Sequence, residues 1–330
     1  MSALEPPIRN PDAAPSRRAI ATFVLRAGLG CGLLGVLLWI YGAQRIVHVL
    51  ARERLDCFTA AVALYIAGQV MSSYRWQLLA RINRIDGRWH EYLAYYLIGM
   101  ATNLFIPGLI GGDAARATYL GLRHRRMTDA IASVVADRGI GLVALFWMAA
   151  LAAVTVSSVR LPSSLIFAVA AIGVFLLLGF ALAPLLIGPL RRLSGRIGRA
   201  SGPLLPYLDR PAALLPPIIL SLILQASLAL CQYLLAVGMG LKLPISAVLL
   251  VVPMANVAAS LPLTLNGLGV REGAYVLLFG MAGVAQQDAV ALGLLWFAST
   301  MIGGLTGIVP FVLTALPQPD AVAPDALAAS

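Results

Sequence analysis

Two short stretches of the chain place the same residue types at the same spacing: Pro107-x4-Gly112-x3-Arg116 and Pro262-x4-Gly267-x3-Arg271. Pro turns a chain that cannot continue as a helix, and Gly lets backbones approach closely. An Arg in the first turns of the returning helix presents a planar fork of donors suited to a phosphodiester. A helix start adds free N–H groups and a positive dipole end, so each stretch reads as an anion-binding turn, with phosphate the natural ligand. Asn103, Gly111, Asp113, Gly269 and Glu272 flank the turns, and Asp137-Arg138 adds a further carboxylate and guanidinium. Asp113, Asp137 and Glu272 are placed to neutralise Arg116 and Arg271 when no anion is bound. The competing readings are a purely structural ion-pair cluster and ordinary helix kinks.

Other chemistry finds less support. His48, His90 and His124 are isolated, and Cys31, Cys57 and Cys231 lie far apart with no disulfide or metal-ligand spacing, so neither metal nor cofactor is expected. No nucleophile has a His partner and no Asp-x-Asp pair occurs. Each available acid sits near an Arg that would lower its basicity, which disfavours an enzyme.

The elements that must position these residues are apolar. Hydrophobic residues make up 60% of 330 positions and charged residues 12%, with a mean hydropathy of +0.88, too little polar surface to clothe a soluble globule. Six unbroken apolar runs, 20–43, 57–79, 130–154, 163–188, 212–237 and 289–313, each reach the roughly 20 residues a helix needs to span a bilayer. The net charge of +10 comes from Arg residues clustered between the runs, the pattern of cytoplasmic loops rather than of nucleic-acid binding. Arg75, beside Trp76 at the end of the second run, reads as an interfacial anchor.

Loop charge traces the path. With the N-terminus inside, held by Arg9, Arg17 and Arg18, the second run returns to Arg81, Arg84 and Arg88. Run 92–120 is then followed by Arg123, Arg125 and Arg126, also basic and so also inside, although a single crossing would place them outside. A re-entrant hairpin turning near Pro107 to Gly112 reconciles the two. Run 243–282, which contains Pro253, Pro262, Gly267 and Gly269, reads as a second hairpin entering from the other face. The fold class is therefore all-α and polytopic, with about six transmembrane helices, two Pro/Gly-broken re-entrant hairpins and an inverted repeat, residues 18–158 against 162–314. Pro-rich residues 1–17 and residues 315–330 read as disordered tails. Paired broken helices in such repeats point to a substrate site near the midplane.

Four ordered motifs carry a resemblance: Arg75-Trp76; Asn103-x3-Pro107-x3-Gly111-Gly112-Asp113-x2-Arg116; Ser133-x3-Asp137-Arg138; and Leu261-Pro262-x4-Gly267-x-Gly269-Val270-Arg271-Glu272. Over roughly residues 20–312 the chain resembles the transmembrane region of the lysyl-phosphatidylglycerol synthase and flippase family. The resemblance implies a multi-pass protein of the bacterial inner membrane that moves, or helps move, an anionic phospholipid or lipid-linked molecule between leaflets. The aminoacyl-transferase domain of two-part members has no counterpart here, so lipid aminoacylation by this chain is not expected. Two other classes stay open: an intramembrane transferase acting on a phospholipid or polyprenyl-phosphate, and a non-transporting subunit of a lipid-modifying enzyme.

Overall fold

The computed structural model describes residues 43–51, 53–105, 109–156, 162–191, 202–260 and 269–314, with scattered helical residues between 32 and 40. Most of the first expected span, both tails, Pro107, Pro262 and Gly267 lie outside them. Every regular element among the described residues is helical. In chain order they are α1 (Ala43–Leu50), α2 (Leu55–Ile82), α3 (Trp89–Phe105), α4 (Leu109–His124), α5 (Met127–Thr155), α6 (Ser163–Arg191), α7 (Leu205–Asp209), α8 (Leu215–Gly238), α9 (Ile245–Ser260), α10 (Val270–Gly280), α11 (Gln286–Leu305) and α12 (Ile308–Leu313).

Among the described residues, four helical stretches are long and apolar enough to cross a membrane: Leu55–Ile82, Met127–Thr155, Pro211–Gly238 and Gln286–Leu313. At about 1.5 Å per residue each exceeds the ~30 Å hydrocarbon layer. The α6 helix exposes Phe167, Val174, Phe175 and Leu178 on its outer side, a surface that water would penalise and lipid does not. The molecule is an all-helical membrane protein.

The α2 and α8 helices pack antiparallel along most of their length. The Arg54 N–H donates to the Gly238 carbonyl at one end, and Leu78 and Pro216 border one hollow at the other. The α3–α4 pair leaves from the α2 C-terminal end and comes back to it, because Arg126 Nη1 donates to the Arg84 carbonyl at 2.9 Å across the two flanking loops. The α9–α10 pair starts and finishes at the opposite end. There Ala236, Leu243, Phe279 and Leu292 share one apolar core with Ile46 of α1. A separate core around Trp76, Tyr92, Tyr95, Leu120 and Ala130 holds the α3–α4 pair.

Neighbour relations match between the two halves. Just as α2, α3, α4 and α5 pack each on the next, so do α8, α9, α10 and α11, and α5 lies on α9 as α11 lies on α3. Pro253 does not break its helix, contrary to the sequence-based expectation, and α9 runs through it to Ser260. Its neighbours Leu250, Val251, Val252, Met254 and Ala255 are buried in the core, and such packing tolerates a missing backbone donor inside a membrane helix.

The α1–α2 junction contains a pH-sensitive group. Both Glu53 carboxylate oxygens are buried without a hydrogen-bond partner among the described residues. Burial first, and the Asp56 charge second, push this carboxyl from its ordinary 4.5 up to about 7. The folded protein holds a proton that the unfolded chain releases from about 4.5 upward, so this group lowers stability as pH rises through that window, and the deficit persists above 7. Glu53→Gln should therefore raise the melting temperature in detergent at pH 8 and leave it unchanged near pH 4. An equal gain at both values would show that the carboxyl ionises normally.

Candidate functional site

The C-terminal half of α2 is unusually polar for a membrane helix, burying Gln69, Ser72, Ser73, Arg75 and Gln77. Such groups survive in an apolar bundle only if each meets a partner. Arg75 Nε and Nη2 contact Asp137 Oδ1 on α5 at 2.9 and 2.8 Å, and Arg75 Nη1 donates to Ser221 Oγ on α8 at 2.9 Å. The interfacial-anchor reading of Arg75 is thereby corrected: the side chain is 7% exposed and ties three helices together. Ser221 sits in an apolar run and gave no sequence signal as a partner.

Asp137 is shared. Its Oδ2 accepts from Arg116 Nη1 of α4 at 2.9 Å, and Arg116 in turn contacts Asp113 Oδ1 through Nε at 3.1 Å and Nη2 at 3.0 Å. The Arg116 guanidinium also lies 5.1 Å from the Trp76 ring and 5.2 Å from the Tyr96 ring, where the ring quadrupoles favour a cation. Trp76 is fixed by its indole N–H on Ser133 Oγ at 3.0 Å and by edge-on packing with Tyr92.

Arg138 closes the cluster by gripping both oxygens of Asp113, at 2.7 and 2.9 Å. Three guanidiniums share two carboxylates, leaving one positive charge in excess. Exposure separates their roles: the Arg116 side chain is 4% exposed and the Arg138 side chain 48%. Arg116, expected from its spacing to be a ligand contact, is enclosed by its partners, while Arg138 keeps a face open. Asp137 lies ten residues into α5, about 15 Å from the end that carries Arg126, nearer that end than the expected midplane.

The first hairpin is shaped by a backbone contact. Gly112, the fourth residue of α4, turns its backbone N–H toward α3. Asn103 Oδ1 of α3 accepts it at 2.7 Å. A Cβ at Gly112 would collide with the Gly99 carbonyl and with Asn103, so the hairpin closes only without a side chain there. Gly111, one residue earlier, is half-buried.

The second hairpin uses other means. Gly269 has φ +80°, and Glu272 Oε2 accepts the Gly269 N–H at 2.6 Å. Glu272, expected mainly as a counter-charge for Arg271, therefore caps the start of α10; it is fully buried and packs against Gly293 of α11. Tyr275 donates to Gln232 Oε1 of α8. Tyr65 stands edge-on to Trp296 with centroids 5.5 Å apart.

The sequence profile of the lysylphosphatidylglycerol synthase TM region family matches residues 21–307, nearly the whole chain. The protein belongs to that family. A UPF0104 membrane protein of Pyrococcus horikoshii is 24% identical over 315 aligned residues, covering 84% of this chain and 94% of the relative. A second UPF0104 membrane protein, from Methanothermobacter thermautotrophicus, is 30% identical over 125 residues, 37% of each chain. The family match encloses the whole Arg/Asp cluster and both hairpins, so the charged site belongs to the portion this lysylphosphatidylglycerol synthase TM region member shares with its relatives.

Proposed function

We propose that the protein moves an anionic phospholipid or lipid-linked molecule between the leaflets of the bacterial inner membrane, its headgroup passing between two re-entrant hairpins of an inverted repeat, with the N-terminus in the cytoplasm. The observation that carries this reading is Arg138, whose side chain is half exposed at membrane depth in a cluster with one unmatched positive charge. An exposed charge there costs about 3 kcal/mol or more unless a polar cavity or an anion receives it. In this reading the headgroup steps from Arg138 toward Arg271, the matching arginine of the second half, while its acyl chains stay in lipid.

The matching neighbour relations of α2–α5 and α8–α11 support a repeat over residues 55–155 and 215–305, shorter than the ranges read from hydropathy. The Arg126–Arg84 contact supports re-entry of the first hairpin. Cysteines substituted at positions 84 and 126 should then label from the same, cytoplasmic, face of intact cells, and labelling from opposite faces would remove the hairpin. The transferase reading is weaker because Asp113 and Asp137 are both held by guanidiniums, which makes them poor general bases.

Translocation is tested with the purified protein in vesicles containing headgroup-labelled phosphatidylglycerol and a membrane-impermeant quencher. The inner-leaflet label should become accessible. Arg138→Gln should fold, since the enclosed Arg75–Asp137–Arg116 pairs remain, and should slow transport ~10-fold or more, the scale of one lost charge-assisted hydrogen bond. No transport by the unaltered protein would favour the partner-subunit reading.

A further inference from the structure

A second polar site lies away from the hairpins, at the end of the bundle where α2 stops. A cavity of about 470 Å³ there is lined, among the described residues, by Asn83, Arg84, Arg126, Asp129, Asp209 and Arg210 and their neighbours. That volume falls in the roughly 300–1,000 Å³ range of small-ligand sites. The three arginines outnumber the two aspartates, and Arg126 is already committed to Asp129 at 2.9 Å. Asn83 is 4% exposed. Its Nδ2 donates to the Pro203 carbonyl at 3.0 Å, which fixes its orientation, and its Oδ1 is buried with no hydrogen-bond partner among the described residues. A buried acceptor left without a donor is costly and rare.

Beside this cavity, sharing Ile82 and Arg210 with it, is a hollow of about 270 Å³ whose other walls are Leu78, Arg81, Ala213, Pro216 and Pro217. It runs between the end of α2 and the start of α8, where Leu215 and Ile219 expose more than half of their surface. A charged chamber thus continues into a groove on the membrane-facing side that is apolar apart from Arg81 and Arg210.

We infer that this composite cavity binds one anionic glycerophospholipid from the leaflet on that side. Arg84 and Arg210 take the phosphate, a headgroup hydroxyl or ammonium supplies the donor that Asn83 Oδ1 lacks, and the upper part of an acyl chain lies in the hollow. The chamber alone would suit a free phosphate ester; the adjoining, mostly apolar groove favours the lipid. The bound lipid joins the end of α2 to the start of α5, the two helices that carry Arg75 and Asp137 further along their length. The site is separate from the hairpins and does not rest on the transport reading.

The test is equilibrium binding by the full, delipidated chain in detergent, with phosphatidylglycerol, phosphatidylcholine and water-soluble glycerol 3-phosphate as probes. Phosphatidylglycerol should bind tightest, and Arg84→Asn with Arg210→Gln should weaken it ~10-fold or more, because each removes a charge-assisted contact. Asn suits position 84 because Arg84 has φ +58°, a region Asn tolerates. Arg210→Gln alone, at an exposed loop position, should shift binding in the same direction and guards against misfolding of the pair. Unchanged phosphatidylglycerol affinity in both variants would overturn the site. Glycerol 3-phosphate binding as tightly as the lipid would overturn the lipid assignment and leave a free-anion pocket.

Discussion

Asp137→Asn is expected to abolish accumulation of folded protein. Asp137 is 2% exposed and answers two enclosed guanidiniums, Arg75 and Arg116. Removing its charge leaves both arginines facing one neutral amide in a medium of low polarity. Breaking a buried pair in this way costs about 3–5 kcal/mol, against a total stability of about 5–15 kcal/mol. The variant should elute as aggregate on size exclusion and melt far below the parent. Adding Arg75→Gln should recover much of the loss, because Arg116 still has Asp113 while the orphaned charge is gone. If the single variant is as stable as the parent, the cluster is not what ties α2, α4 and α5 together.

Gly112→Val should be the next most damaging change, for a reason of shape rather than charge. A Cβ at this position overlaps the Gly99 carbonyl and lies 2.6 Å from Asn103 Nδ2. Backbone cannot yield as a side-chain tip can, and moving Asn103 would also leave the Gly112 N–H without its acceptor. Overpacking of this kind costs about 3 kcal/mol, so a marked fall in melting temperature is expected, with Gly112→Ala intermediate. Gly139→Ala on α5, where nothing lies within 4 Å of the added methyl, is the matched control and should be neutral or slightly stabilising, given the helix preference of Ala. Equal melting of the Gly112 variants and this control would mean that α3 and α4 do not close on each other.

Much of the architecture is written in local sequence. Long apolar runs force helices because an unsatisfied backbone is intolerable in lipid, and four described helical stretches long and apolar enough to cross a membrane begin and end within a few residues of the runs at 57–79, 130–154, 212–237 and 289–313. The basic residues on both sides of 92–120 required its ends to share one face, and the Arg126–Arg84 contact joins those ends. The residue types of the site were legible too, since a charge inside an apolar run must have a partner somewhere.

Which partner it finds is a property of tertiary packing. Asp137 meets Arg75 from 62 positions away and Arg75 meets Ser221 from 146, separations that no local pattern encodes. Spacing marked Arg116, together with Arg271, as a ligand contact and gave Arg138 only as a further guanidinium. Only the arrangement of α2, α4 and α5 encloses Arg116 and leaves Arg138 half exposed. Pro253 looked like a helix breaker, but dense packing around α9 carries the helix through it. The sequence by itself determined a helical membrane protein with paired charged turns. The tertiary structure decided which charges neutralise one another and which arginine keeps a face open, because burial and partner geometry exist only once distant helices have met.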